Sequence, residues 1–98
     1  MIIVNERVLR HRQLVEELNK LYEEKNLKYD NSFETTYKEY GSTALLLRLD
    51  DKLTRAKMVL RNPGVDPGDE TILDTLMDLA NYAIMGIMKI EKTSDQIE

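Results

Sequence analysis

Apolar residues recur with helical spacing along most of this chain, interrupted where turn-forming residues cluster. Over residues 5 to about 26, Val8, Leu14, Val15, Leu18, Leu21 and Tyr22 share one face, and Gln13, Glu16, Glu17, Lys20, Glu23 and Glu24 form the other. That predicts an amphipathic helix with Asn5 as its N-cap and Glu6 in its first turn. Residues 1–4 make an apolar tail that docks as an edge or as a hydrophobic staple. Asp30, Asn31 and Ser32 then form a turn-and-cap cluster, with Asn31 and Glu34 at capping-box spacing. A short helix over about 33–39 follows, ended by Gly41. Ser42 caps a second long helix reaching about residue 61, with Leu45, Leu46, Leu49, Leu53, Ala56, Val59 and Leu60 as its main apolar face. A thinner stripe on the same helix carries Ala44, Leu47 and Met58, and Asp51 falls among them. The stretch NPGVDPG breaks the chain. Asp69 is the expected N-cap of a final helix that fades into the polar tail KTSDQIE.

That final helix, residues 70–90, is the unusual one. At about 100° per residue, Leu73, Leu76, Ala80, Ala83, Ile84 and Ile87 cover one side, and Ile72, Leu79 and Ile90 extend it onto the back. Its concentrated polar strip is narrow: Glu70, Asp74, Asp78 and Asn81 fall within roughly 80° of one another, and Met85 and Met88 continue the line. A helix apolar nearly all round is normally buried. Three carboxylates in a row on such a helix repel one another and are costly to desolvate without a cation against them. The strip therefore reads as a site for a divalent metal.

Three long helices and one short one predict an all-α fold, an antiparallel helical bundle. With 98 residues there is room for one domain (1–98, core about 5–92). Three helices cannot cover a last helix that is apolar all round, so the bundle is expected to be completed by oligomerisation. A homodimer or higher homo-oligomer, in which the last two helices pair with their copies, is the expected form.

Composition narrows the function classes. A charged fraction of 33% beside 42% hydrophobic residues describes a globular protein. A net charge of −4 argues against general nucleic-acid binding, so direct DNA binding is not expected. The chain has no cysteine, which removes disulfides, thiolate zinc sites and a cysteine nucleophile. The opening MIIVNERV lacks the apolar region of a signal peptide, and the nearly apolar run 79–88 is too short to span a membrane. No membrane association is expected, and a cytoplasmic location follows by default.

Several residues have a structural and a chemical reading. His11 lies among Val8, Val15 and Leu18, where a lone histidine is a core or interface residue more often than a ligand. Lys25 stands one turn beyond Leu21 and either snorkels out of the core or reaches a phosphate; its wheel position favours snorkelling. Tyr29, Phe33, Tyr37 and Tyr40 crowd the connector, where some must pack and others could stack on a base. Asp51 either pairs with Arg48 or Arg55 along its helix, a weak interaction when exposed, or serves a site; its apolar neighbours leave both open. A di-iron bundle needs Glu-x-x-His pairs that are absent, and zinc prefers His or Cys. All-oxygen ligands point instead to Mg²⁺, or Mn²⁺, shared with substrate phosphates, with Lys52 and Arg55 as countercharge for a nucleotide or diphosphate. Glu70 at a helix start could simply favour the macrodipole, and Asp74 could follow it as a solvated position; Asp78 has no such explanation.

The segments KYDNSF (28–33), YGSTALLLRLDDKLTRAKMVL (40–60) and GDETILDTLMDLANYAIM (68–85) resemble the nucleotide modification associated domain, type 1, a small and largely phage and bacterial family. The resemblance covers roughly residues 15–90, and the spaced DK-x-x-R and D-T-L-x-D-L-A-N-Y elements carry it. That family is in turn similar to the all-α nucleotide pyrophosphohydrolases of the MazG and dimeric dUTPase kind, which bind Mg²⁺ through acids on two adjacent helices. The resemblance implies that Asp51 is the acid of the first metal-binding helix, with Lys52 and Arg55 completing its motif. Asp78 would match the last residue of the superfamily's E-x-x-D element. The chain departs from that pattern at Thr75, which stands where Glu is usual, so Asp74 and Glu70 are left to take its role. An earlier E-x-x-E is also missing, with only Asp50 and Asp51 there, and Lys28 and Asp30 replace the residues of the family's more usual DYGNSF.

Two functions follow as expectations. In the first, Asp51, Glu70, Asp74 and Asp78 hold Mg²⁺ against the triphosphate of a dNTP or NTP, with Asp51, Asp74 and Asp78 as the catalytic acids of a nucleotide pyrophosphohydrolase. Lys25, Lys52 and Arg55 then neutralise phosphates, and Asn31, Phe33, Asn81 and Tyr82 contact sugar or base. In the second, the chain is a non-catalytic helical module, a nucleotide sensor or an oligomeric partner of a DNA-modifying enzyme.

Overall fold

A computed structural model describes residues 5–29 and 32–97, which form four helices: α1 (Glu6–Tyr29), α2 (Ser32–Tyr40), α3 (Ser42–Arg61) and α4 (Ile72–Ile97). No strand occurs among the described residues, so the all-α expectation holds. The apolar tail at residues 1–4 and the turn residues Asp30 and Asn31 lie outside the described residues. Asn5 caps α1 as expected, its Oδ1 accepting from the backbone N–H groups of Arg7 at 2.9 Å and Val8 at 3.3 Å. Two other caps differ from expectation. The residue before α3 is Gly41, at φ 65°, which ends α2 and starts α3 with no side chain to cap it, so Ser42 lies inside the first turn. The cap of α4 is Thr71 and not Asp69. Thr71 Oγ1 accepts from the Asp74 N–H at 3.1 Å, and Asp74 Oδ2 accepts from the Thr71 N–H at 3.0 Å and its hydroxyl at 2.8 Å. This reciprocal pair satisfies two orphan donors at once, which Asp69 alone could not.

The chain divides into two compact units, residues 1–32 and 33–98. The first is α1, whose Val8, Leu14 and Val15 are exposed, as is His11. The second is built on α3 and α4, which run antiparallel: Leu45 meets Gly86 near one end, and Lys52 and Arg55 meet Asp78 and Thr75 toward the other. Gly86 leaves room for the Leu45 side chain, since a Cβ there would lie 2.7 Å from Leu45 Cδ2. Ala44 and Ala56 are buried in the same unit. Phe33 of α2 is buried with its ring 5.6 Å from Tyr82 of α4, while Lys89 pairs with Glu34 and sits 5.5 Å from the Tyr37 ring centre.

The apolar side of α4, which the helices of one chain were not expected to cover, is exposed, with Leu73 at 69% and Ile90 at 61% exposure and Leu76, Ile84 and Ile87 also exposed. The interior face carries Thr75, Asp78, Asn81, Tyr82, Met85 and Gly86 instead. On α3 the main apolar face is divided: Leu46, Leu53 and Leu60 are exposed, whereas Ala56 is buried and Leu45, Leu49 and Val59 are half-buried, as are Arg48, Lys52 and Arg55. α3 and α4 thus meet through polar side chains as well as through Leu45 against Gly86, and each leaves large apolar side chains exposed.

Candidate functional site

Three cations on α3, Arg48, Lys52 and Arg55, stand at spacings of four and three residues, which places them on one helical face. Arg55 is the organiser. Its Nη2 donates to the backbone carbonyls of Pro67 and, at 2.6 Å, Glu70, while its Nε faces Glu70 Oε2 at 2.8 Å and Thr75 Oγ1 at 3.2 Å. One guanidinium therefore holds both the loop and the start of α4 against α3, a use of the planar donor fork that lysine cannot copy. Thr75, at 0% exposure, donates its hydroxyl to Glu70 Oε2 at 2.5 Å. The loop folds locally through Asp66, whose Oδ1 accepts from the Gly68 N–H at 2.9 Å, with Gly68 at φ 77°. Glu70 belongs to this loop, one residue before the cap, and not to the helix.

Lys52 lies between two carboxylates, its Nζ 2.8 Å from Glu70 Oε1 and 3.0 Å from Asp78 Oδ2. Burial works against its charge, but the hydrogen bonds to Glu70 and Asp78 and the charges of both outweigh it and raise its pKa above the usual lysine value. Glu70 is held below the usual carboxylate range, first by the hydrogen bond from Lys52 and then by that from Thr75. Both shifts bear on stability. Glu70 contributes fully above its unfolded pKa of about 4.3, and that contribution is lost as pH falls through its lowered folded value. Lys52 contributes fully below about pH 10.4 and loses that contribution as pH rises through its raised value. Denaturant unfolding between pH 3 and 7 should show stability rising with pH, and Glu70→Gln should flatten that acid limb; an unchanged slope would refute the assignment.

The predicted site residues fall into distinct places. Asp51, Lys52, Arg55, Glu70 and Tyr82 line one cavity of about 490 Å³, together with Arg48, Pro67, Gly68 and Asp69. Asp51 is exposed at its mouth, and Asp78 is buried behind Lys52 at 8% exposure. Asp74 is exposed and engaged in the α4 cap. Phe33 backs Tyr82 rather than lining the cavity, and Asn81 is buried on the inner face of α4. Lys25 stands half-buried on α1, in the N-terminal unit, and Asn31 lies outside the described residues. Sequence reasoning gave no site role to Arg48, Asp69 or Thr75. The spacing of Arg48, Lys52 and Arg55 was a readable signal for the first; the bond from Thr75 to Glu70 was not.

Among the described residues no three Asp, Glu or His side chains gather as a ready-made metal set. Mg²⁺ does not require one, because it keeps several waters and binds through one or two carboxylates plus substrate phosphates. Glu70 Oε1 and Asp78 Oδ2 converge on a single cationic point, the Lys52 ammonium. Two hard oxygens aimed at one cation beside an open cavity are a donor pair that fits Mg²⁺ or Mn²⁺.

All of these residues lie in the stretch that matches a known family. The chain belongs to the nucleotide modification associated domain 1 family, whose profile covers residues 25–90. No curated protein and no solved structure matches it. Among the described residues no helix is long and apolar enough to cross a membrane.

Proposed function

We propose that this member of the nucleotide modification associated family is a Mg²⁺-dependent nucleotide-processing protein that hydrolyses a dNTP or NTP to its monophosphate and pyrophosphate. The supporting observation is the cavity wall, where Arg48, Lys52 and Arg55 stand beside Asp51, Asp69, Glu70 and Tyr82. Cations of this kind neutralise phosphate oxygens, carboxylates supply hard ligands, and the Tyr82 ring offers a face for a base. The volume of about 490 Å³ is within the range of small-molecule sites. Glu70 and Asp78 would hold Mg²⁺, with Asp51 the further acid at the cavity wall, while Asp74 of the predicted set serves the α4 cap. Bound there, the ion would polarise the phosphoryl oxygens and supply a nucleophilic water at neutral pH. Arg48 and Arg55 would face the triphosphate from α3, and Phe33 packs against the ring of Tyr82. Pyrophosphate release from a panel of dNTPs and NTPs with Mg²⁺ or Mn²⁺ is the direct test. Absence of both turnover and metal-dependent nucleotide binding would remove the proposal.

A second reading, a nucleotide sensor or a helical partner of a DNA-modifying enzyme, is favoured by one observation. Lys52 and Arg55 are already engaged by Glu70, Asp78 and loop carbonyls, an arrangement that also serves structure alone. A nucleotide-dependent rise in melting temperature without turnover would select it.

Self-association belongs to either reading. Leu73, Leu76, Ala80, Ala83, Ile87 and Ile90 repeat at alternating three- and four-residue steps, the spacing of a helix–helix seam, on the uncovered side of α4. A stripe this long on one helix exceeds what a monomer usually leaves open. Sedimentation at micromolar concentration should find a dimer or larger species; a monomer there would sink it.

A further inference from the structure

Lys52 reaches the carboxylate pair from α3 with a long flexible stem, and its ammonium lies between Glu70 Oε1 at 2.8 Å and Asp78 Oδ2 at 3.0 Å. Asp78 is nearly buried, with its side chain 10% exposed, while Lys52 retains 22% and lines the cavity. The Arg55 guanidinium adds a second positive charge on Glu70 Oε2. Two carboxylates are thus balanced by two cations, and the cluster is neutral as it stands.

A divalent cation entering that cluster would add two charges within a few ångströms of Lys52 and Arg55. Their repulsion is large in a half-buried setting. The same Lys52 stem can turn its ammonium into the cavity, where a triphosphate would offer several anionic oxygens beside Arg48. We propose that Lys52 is the resident counter-cation of the Glu70–Asp78 pair, and that a divalent metal enters only as nucleotide draws the ammonium away, so that metal and nucleotide bind together. This rests on the nucleotide-processing reading and adds to it a rule of binding order: each ligand raises the affinity of the other by the same factor. A site without such a resident cation would load metal first and independently.

The experiment uses the full chain and measures free Mn²⁺ by its paramagnetic resonance signal, without nucleotide, in wild type, Lys52→Met and Lys52→Arg. Wild type and Lys52→Arg should bind Mn²⁺ weakly, and Lys52→Met at least about tenfold more tightly. Adding Asp78→Asn to Lys52→Met should abolish the gain, which locates the ion. Thermal shift with Mn²⁺, α,β-methylene dNTP analogues, or both, completes the design: wild type should be stabilised by the pair well beyond the sum of the two alone. Should Lys52→Met fail to give a helical circular dichroism spectrum, Lys52→Gln takes its place in the same titration. If wild type responds to Mn²⁺ with nucleotide but the neutral variants gain no affinity for Mn²⁺ alone, the Lys52 inference is overturned and the nucleotide reading stands. If Mn²⁺ is taken up in no arm, both fall.

Discussion

Arg55→Met should lower the unfolding free energy by about 3 kcal/mol, and the melting point by on the order of 10–20 °C for a chain of this size. The effect is large because one guanidinium serves four acceptors: the Pro67 and Glu70 carbonyls, Glu70 Oε2 and Thr75 Oγ1. Methionine fills much of the same volume, so the loss reads on hydrogen bonding and charge more than on packing. Without Arg55, two loop carbonyls lose their donor and Glu70 keeps only Lys52 and Thr75. Arg55→Lys should recover little, since a point charge cannot reach a loop carbonyl and the Thr75 hydroxyl together. Urea unfolding of the three proteins measures this directly. A change below about 1 kcal/mol for Arg55→Met would show that the loop is held by something else.

Asp78→Asn should cut pyrophosphate release by roughly 10²- to 10³-fold or more, the scale seen when one group that stabilises developing charge is removed. Asparagine keeps the shape and one acceptor oxygen for Lys52 but not the charge, so the cost in stability should be only about 1–2 kcal/mol. Circular dichroism and urea unfolding separate that modest cost from the loss of turnover. The same variant distinguishes the two functional readings. A sensor has no turnover to lose and should keep its nucleotide-dependent thermal shift in Asp78→Asn. Full activity in the variant would remove Asp78 from the chemistry.

Much of the secondary structure was legible because its signals are local. Asn5, Gly41 and the NPGVDPG break act within a few residues of the boundaries that they set. The two misplaced caps show the limit of local reading. Asp69 and Thr71 are both good N-cap residues, and the choice went to the one with an acid three positions on, Asp74, to answer it. That pairing spent on the cap a carboxylate that the helical wheel had grouped with Asp78.

The sequence by itself determined the all-α class, the acidic strip with its basic counterpart at Lys52 and Arg55, and the family. Those depend on helical periodicity, charge and motif spacing, which are properties of a segment. Only the tertiary structure decided which side of α4 turns inward. The wheel marks a polar strip and an apolar side, but the hydrophobic effect has no direction and does not say which neighbour covers which face. The contact between α3 and α4 is fixed by groups whose partners are specific: Arg55 on the loop carbonyls, Lys52 between Glu70 and Asp78, and Gly86 against Leu45. These contacts join residues as far apart along the chain as Leu45 and Gly86, so no short window of sequence contains both partners. Of the acids read as one strip, Glu70 and Asp78 meet the Lys52 cation of the neighbouring helix, and Asp74 serves the α4 cap.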